Sequence, residues 1–313
     1  MPGIGISISP FLRKKSGNKY FTITVDTTKA GSANDTFVLP LPSAGTYDYY
    51  VDWGEGDAEE HFVVNTPQTH VYGSSGTYQI KITGTFPQIY FANAGDKLKL
   101  ISIDNWGSIV WGSFNRAFWG CSNMDCVAVD SANTSSVEDF EYSFRGCTSL
   151  TTLNTSGWDT SSVTTFGYAF DGDVLLTALD TSGWDTSSVT SFYSFLNGCQ
   201  AITSIDTSGW DTSSVTNFYR FARICYALKG SFAALDMTAA TDITDMFFGC
   251  DINNEGTANY DATLVSWAAQ AVNTGLTFNA GTSKYSAGGG GTAARAILTG
   301  APNNWAITDG GEE

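Results

Sequence analysis

The chain has 313 residues, which is enough for more than one structural module. Its 15 Lys and Arg against 31 Asp and Glu give a net charge of −16, which argues against nucleic acid or an anionic membrane as the main partner. Only 15% of the residues are charged, while Ser, Thr, Gly and aromatic residues are abundant. The sequence has no run of about 18 apolar residues, so no membrane span is predicted.

The first 19 residues are apolar and then basic. In "MPGIGISISPFLRKKSG" the charges follow a short apolar stretch, which is the reverse of a secretory signal. An extracellular type of composition without such a signal favours a virion component. We therefore predict that residues 1–19 are a docking peptide that inserts into another virion protein, with a disordered terminus as the alternative. The residues expected to dock are Ile4, Ile6, Ile8, Phe11, Arg13, Lys14 and Lys15.

Residues 20–97 consist of short alternating runs, such as "YFTITVDT" and "TYQIKITG", separated by turn residues, and they predict a small antiparallel sandwich. Two stretches, "VDWGEGDAEEHF" and "THVYGSSGTYQIKITG", resemble a PKD-type immunoglobulin-like domain, which implies a spacer or adhesion module. The matching residues are Trp53, Gly54, Gly56, His70, Tyr72, Gly76 and Tyr78, and Glu55 stands where the family has Asp. Asp52, Glu55 and Asp57 are weak candidates for a metal site, and a solvated hairpin tip is the favoured alternative.

Residues 98–253 repeat with a period of 26, which Trp158, Trp184 and Trp210 mark most clearly. Each repeat begins with an extended half such as "LTALDTSGWDT". The second half, "SSVTSFYSFLNGC", has Ser residues suited to a helix N-cap, apolar residues at helical spacing and a Gly stop. A strand and a helix in each repeat predict a β/α solenoid that buries a continuous core by stacking.

Three columns of the repeat are candidates for sites as well as for packing. Trp158, Trp184 and Trp210 are predicted to pack in the core, and an exposed binding stripe is the alternative. The regularly spaced cysteines are predicted to be reduced core thiols, with a disulfide or a metal site as the alternative. The repeated Asp residues are predicted to accept N–H groups in turns, with a Ca²⁺ ladder as the alternative.

The motif "LDTSGWDTSSVTSFYSFLNGC", together with its other copies over about residues 100–253, resembles the BspA-like leucine-rich-repeat family of surface proteins. The chain departs from that family in having Phe192 and Phe218 where Met is common. The resemblance implies an extracellular interaction scaffold, found on bacterial surfaces and some phage particles, without shared catalytic residues.

Residues 254–313 predict a C-terminal α/β cap. In "NYDATLVSWAAQ" the spacing of Leu264, Trp267 and Ala268 predicts an amphipathic helix, and "NNWAITDGG" predicts a final strand. The predicted fold is therefore multidomain: an all-β Ig/PKD-like sandwich at 20–97, a β/α leucine-rich-repeat-like solenoid at 98–253, and an α/β cap at 254–313.

No nucleophile–base pair, metal cluster or phosphate loop is evident, so we predict no catalytic residue, no enzyme activity and no cofactor, with structural Ca²⁺ as an alternative. The predicted function is a phage virion surface protein (a tail fibre, receptor-binding or decoration protein) that recognises a host-surface receptor or polysaccharide. A bacterial cell-surface adhesin is the alternative, and a glycan depolymerase is the least favoured one. The expected partners are other virion proteins, bound through the N-terminus, and the host surface. We expect neither nucleic acid binding nor membrane insertion. A homo-oligomer is compatible with the sequence.

Overall fold

The structure, a computed structural model, describes residues 19–313. The chain in this range is mostly β-strand and turn, with two short helices. The elements in chain order are β1 Phe21–Asp26, β2 Thr36–Leu39, β3 Asp48–Asp52, β4 Glu60–Phe62, β5 Gln68–Val71, β6 Thr77–Thr85, β7 Leu100–Asn105, β8 Asp125–Cys126, β9 Thr152–Leu153, β10 Ala178–Leu179, α1 Ala258–Ala268, β11 Thr277–Asn279, α2 Gly290–Thr299 and β12 Ala306–Thr308.

The N-terminal strands form a six-stranded sheet with the order β4-β3-β6-β1-β7-β8, and β2 pairs with β5 in a second, two-stranded sheet. The central strand β1 pairs antiparallel with β6 over its whole length, from Phe21↔Ile82 to Asp26↔Thr77. Its alternation directs Phe21, Ile23 and Val25 into the core, where each is fully buried. The period-2 apolar pattern therefore explains this part of the fold.

The six-stranded sheet continues into the repeats. β7 pairs antiparallel with β1, and the short strand β8 pairs parallel with β7 through Ser102↔Asp125 and Ile103↔Cys126. Phe21 also packs against Trp106 and Trp111 of the first repeat, with ring centroids 5.9 and 5.0 Å apart. The N-terminal strands and the first repeats thus share one sheet and one core.

Successive repeats stack through backbone hydrogen bonds between equivalent positions. Parallel bridges join Asp139 to Thr165, Thr165 to Ser191, and Ser191 to Asn217. In one coil every second N–H donates to the next coil: Phe166 to Ser191, Tyr168 to Tyr193, Phe170 to Phe195 and Gly172 to Asn197, over 2.8–3.1 Å. The extended half of the repeat is reduced to the two-residue strands β9 and β10.

The predicted fold class, an Ig/PKD-like sandwich followed by a β/α solenoid with an α/β cap, is wrong. The chain is mostly β with only two short helices over residues 19–313, and it has neither a helix in each repeat nor a closed or solenoid sheet. Val189, Phe192 and Leu196 are buried as the helical spacing requires. However, the N–H groups of this segment donate to the next coil or close i→i−3 turns, such as Phe195 N–H to Phe192 O, so i→i−4 helix bonds do not form.

Aromatic rings fill the interior of the stack. Trp158, Trp184 and Trp210 are nearly parallel, with centroids 6.2 Å apart between neighbours. Phe192 stacks on Trp210 at 4.7 Å, and Phe166 stacks on Trp184 at 4.6 Å. The six cysteines are buried and unpaired, and burial raises the pKa of the column thiols of Cys121, Cys147 and Cys199. This column consists of small packing residues.

The repeated Asp side chains close exposed turns. Asp185 Oδ1 accepts the N–H and the hydroxyl of Ser187, at 3.0 and 2.6 Å, and Asp159 and Asp211 make the same pair of bonds. These hydrogen bonds hold the pKa of all three carboxyls below the ordinary value. Each carboxylate is thus stabilised within its own turn.

The C-terminal segment packs on the last repeats. Trp267 of α1 is fully buried and donates its indole N–H to Phe232 O at 3.1 Å. β11 pairs parallel with β12, and Phe247 N–H donates to Asn279 O at 2.9 Å, which continues the inter-coil pattern. The end of the stack is covered in this way.

Candidate binding face

The three clearest repeats differ from one another in only part of their length. The stretch "TSGWDTSSVT" is identical at 155–164, 181–190 and 207–216, whereas the residues that follow it change from copy to copy. We define the variable face as residues 115–120 and their equivalents 141–146, 167–172, 193–198, 219–224 and 244–249. The identical stretch supplies core and turn residues, so the differences between coils lie in the residues that follow it, which include the variable face.

A stack of aromatic rings runs along the variable face. Its neighbouring centroids are 4.6–4.9 Å apart, in the order Trp119, Tyr142, Tyr168, Tyr193 and Tyr219. All five side chains are half-buried. Burial, together with the neighbouring Tyr193, raises the pKa of the Tyr168 hydroxyl, so this hydroxyl stays neutral and can both donate and accept hydrogen bonds.

Arginines accompany the rings. Four of the six arginines in the sequence, Arg116, Arg145, Arg220 and Arg223, lie on this face. Arg145 Cζ is 4.9 Å from the Tyr168 centroid and 5.4 Å from the Tyr142 centroid, and Arg220 Cζ is 4.6 Å from that of Tyr219. These distances are typical of cation–π contacts. A chain with a charge of −16 therefore concentrates its arginines on one aromatic surface.

The backbone under the face is held in an uncommon conformation. Tyr142, Tyr168 and Arg220 occupy equivalent positions with φ of 59°, 57° and 55°, a region that non-glycine residues rarely adopt. The inter-coil hydrogen bonds maintain this conformation, because Tyr142 N–H donates to Gly167 O and Tyr168 N–H donates to Tyr193 O. The side chains of the face are therefore fixed by the stack before any ligand binds.

A groove of about 520 Å³ lies at the N-terminal end of the face. Lys97, Trp119, Arg145 and Asp171 line it, together with Gly120, Gly146 and Gly172. Arg145 Nε donates to Asp171 Oδ2 at 2.7 Å, and Asn197 Nδ2 donates to Asp171 Oδ1, also at 2.7 Å. The groove thus combines an aromatic wall, two cations and one carboxylate whose two oxygens are both occupied.

The three tryptophans that the repeat singles out lie in the core. Trp158, Trp184 and Trp210 expose 3%, 3% and 5% of their surface, so they present no binding stripe. Their neighbours are the other rings of the core, as described above. The aromatic surface of the repeats is formed by residues at other positions.

The three acidic metal candidates have different surroundings. Asp52 accepts hydrogen bonds from Gly54 N–H and Lys81 Nζ, at 2.9 and 3.0 Å, and Glu55 accepts from Gly73 N–H and lies 2.9 Å from His70 Nε2. Asp57 is exposed. Residues 19–313 contain no group of three His, Cys, Asp or Glu side chains placed to hold a metal ion. The predicted docking residues, Ile4 to Lys15, lie outside the described residues.

The invariant tryptophans are the most prominent feature of the repeat in the sequence, and they do not lie on the variable face. The signal was present in the differences between copies, because Gly167, Tyr193 and Tyr219 are equivalent positions with different side chains. The clustering of arginines in the variable halves was a second signal. Both signals lie in the residues that change between the copies and not in those that the copies share.

A protein-family model described as "Mycoplasma protein of unknown function, DUF285" matches residues 112–221, 154–262 and 176–285. These overlapping matches span residues 112–285, which is more than half of the chain and includes the whole variable face. BspA-like repeat proteins belong to this family. No curated protein and no solved structure matches the chain. No helix among the described residues is long and apolar enough to cross a membrane.

Proposed function

The chain belongs to the DUF285 family of Mycoplasma proteins of unknown function, and on this premise we propose that it is a non-enzymatic surface protein that binds through its variable face. The observation that carries the proposal is the coincidence of two patterns. The Tyr, Trp and Arg side chains of the variable face stand at positions that differ between repeats, and these residue types dominate the energy of binding sites. The rigid backbone of the variable face reduces the conformational entropy that is lost when a ligand binds.

We propose a polysaccharide or receptor on a cell surface as the ligand. A row of half-buried Tyr rings offers apolar edges and hydroxyl groups that can donate and accept hydrogen bonds. The surface and adhesion roles expected from the BspA-like resemblance are compatible with membership of this family.

We propose the virion surface as the location, with the bacterial cell surface as the alternative. Residues 1–19 would attach the protein to a tail or capsid protein, and residues 20–97, which resemble a PKD-type domain in their motif residues, would act as a spacer. Detection of the protein in purified phage particles supports the virion location, and its recovery from bacterial envelopes without particles contradicts it.

Replacing two rings of the face is expected to weaken binding. Tyr193→Ala with Tyr219→Ala removes two adjacent stacked rings and should reduce affinity by at least about ten-fold, because Tyr side chains at binding surfaces are frequent hot spots. Binding of the full chain to a panel of immobilised bacterial surface polysaccharides measures the effect.

A matched control comes from the same two coils. Ser187→Ala with Ser213→Ala removes two hydroxyls from the constant turns and should leave binding unchanged. Equal affinities for the tyrosine variant and the wild type would contradict the proposed face. A chain that binds none of the panel would contradict a polysaccharide ligand.

A further inference from the structure

We infer that the groove at the N-terminal end of the variable face binds a carboxylate-bearing sugar residue. This inference rests on the proposed function and names the chemical class of part of its ligand. The groove has a volume of about 520 Å³, within the range of about 300–1,000 Å³ that is usual for small-molecule sites. It is therefore large enough for a sugar residue with its linkages.

The charges lining the groove favour a carboxylate. Among residues 19–313, Lys97 and Arg145 are the cations that line it, and Asp171 is the only acidic lining residue. Asp171 is buried, with one oxygen bonded to Arg145 Nε and the other to Asn197 Nδ2. Burial raises the pKa of the Asp171 carboxyl, although the hydrogen bonds from Asn197 and Arg145 oppose this shift. The lining is thus cationic in a protein of net charge −16.

Asp171 also positions Arg145. It binds the guanidinium through Nε, and no hydrogen bond within residues 19–313 involves the two terminal nitrogens. The rings of Trp119 and Tyr168, whose centroids are 5.5 and 4.9 Å from Arg145 Cζ, also contact the group. A guanidinium fixed in this way can offer two parallel N–H donors to a carboxylate. Lys97 Nζ bonds to Asn93, and one of its three donors remains for the ligand.

The other lining residues favour a sugar over an acidic peptide. Trp119 ends the aromatic stack, and Tyr142 is the only ring that stacks on it among the described residues. Gly146 and Gly172 lack side chains that would occupy the groove: a Cβ built at Gly172 meets only Gly146, at 3.8–3.9 Å. Asn93 and Ser122 add polar groups that suit hydroxyls. An aromatic wall with a few polar groups is typical of small-molecule sites.

The overall charge favours a ligand with isolated carboxylates. A densely charged polyanion would be repelled by the remaining acidic surface, whereas a single carboxylate experiences mainly the charges within about 8 Å at physiological salt. We therefore expect one acidic sugar in the groove and neutral sugars along the Tyr stack.

The test compares a glucuronate-containing tetrasaccharide with its carboxyl-reduced counterpart, using the full chain. The wild type should bind the acidic form at least about ten-fold more tightly, because a hydrogen bond to a charged group contributes this much. Arg145→Gln and Lys97→Met should each lower the affinity for the acidic form toward that for the neutral form. Lys284→Met removes an exposed cation outside the groove and should have no effect.

Several results would overturn the inference. Equal binding of the acidic and neutral forms, or unchanged binding by Lys97→Met with an unaltered melting profile, contradicts a carboxylate in the groove. Equally tight binding of hexaglutamate or heparin contradicts the assignment to an isolated acidic sugar. If the Tyr193 and Tyr219 substitutions still abolish polysaccharide binding in these cases, the proposed function stands without this inference. If no polysaccharide binds the wild type, this inference and the polysaccharide ligand of the proposed function are both overturned.

Discussion

Replacing Lys99 with Met is expected to destabilise the N-terminal part of the protein by about 3–5 kcal/mol, the usual cost of leaving a buried charge without its partner. Lys99 is fully buried, and its Nζ donates to the carbonyls of Ser32, Ala33 and Thr36 at 2.7–3.1 Å. It lies 4.0 Å from Asp96 Oδ1. The Asp96 carboxylate accepts three hydrogen bonds from Ser32 and Val38. The side chains of Lys99 and Asp96 together therefore fix the loop before β2.

Chemical denaturation followed by tyrosine and tryptophan fluorescence measures the loss. Lys29→Met is the matched control, because Lys29 is exposed and its pair with Asp26 spans 3.7 Å on the surface, where such pairs contribute little. A loss below about 1 kcal/mol for Lys99→Met would show that the loop is held by other contacts, since the large cost applies only to a buried charge.

Replacing Asp173 with Cys is expected to stabilise the repeats by about 1–3 kcal/mol at neutral pH, the cost of a buried polar group without a partner. Asp173 lies 26 residues after Cys147 and 26 before Cys199, at the repeat position that is Cys in both of those copies. It is fully buried; Oδ1 accepts Cys147 N–H at 2.8 Å, whereas Oδ2 has no hydrogen-bond partner. The thiols of Cys147 and Cys199 donate to carbonyls 29 residues earlier, and a thiol introduced in place of the carboxyl would have the equivalent acceptor in Phe144 O.

The stabilisation should depend on pH. Burial raises the folded-state pKa of Asp173 well above the ordinary 3.8. Ionisation of the carboxyl therefore adds no penalty to folding below the unfolded-state pKa, and its penalty grows as the pH rises from the unfolded-state pKa to the folded-state pKa. The difference in unfolding midpoint between Asp173→Cys and the wild type should thus be small at about pH 4 and largest near neutral pH.

The reverse substitution is the control. Cys199→Asp places a second carboxyl in the same column and should destabilise the protein with the same dependence on pH. A stabilisation by Asp173→Cys that does not change with pH would contradict a titrating buried carboxyl at this position.

The sequence predicted the repeat and its buried side chains better than the backbone conformation. The period, the core positions of Val189 and Phe192, and the amphipathic segment that became α1 all follow from apolar spacing. The spacing of Phe192, Phe195 and Leu196 fits a helix and a series of turns equally well, because both conformations place these side chains on one side. Bonding to the next coil decided between the two, and hydrogen bonds over 25 residues leave no local signature.

The candidate site was harder to predict for a related reason. Trp184 and Tyr193 are both aromatic residues in a repeat, and only the stack of coils places one inside and the other on the surface. Arg145 and Asp171 are 26 residues apart and meet only because adjacent coils lie side by side. The sequence copies show which positions change, whereas the stacking of the coils determines which of those positions form one surface.

The most direct test of binding by the variable face is hydroxyl-radical footprinting of the full chain, free and bound to the tightest-binding polysaccharide of the panel. Oxidation of Tyr142, Tyr168, Tyr193 and Tyr219 should fall on binding, while that of Tyr50 and Ile297, which are exposed elsewhere, should not change. Protection of Tyr50 or Ile297, with the four tyrosines of the variable face as reactive as in the free protein, would contradict the account.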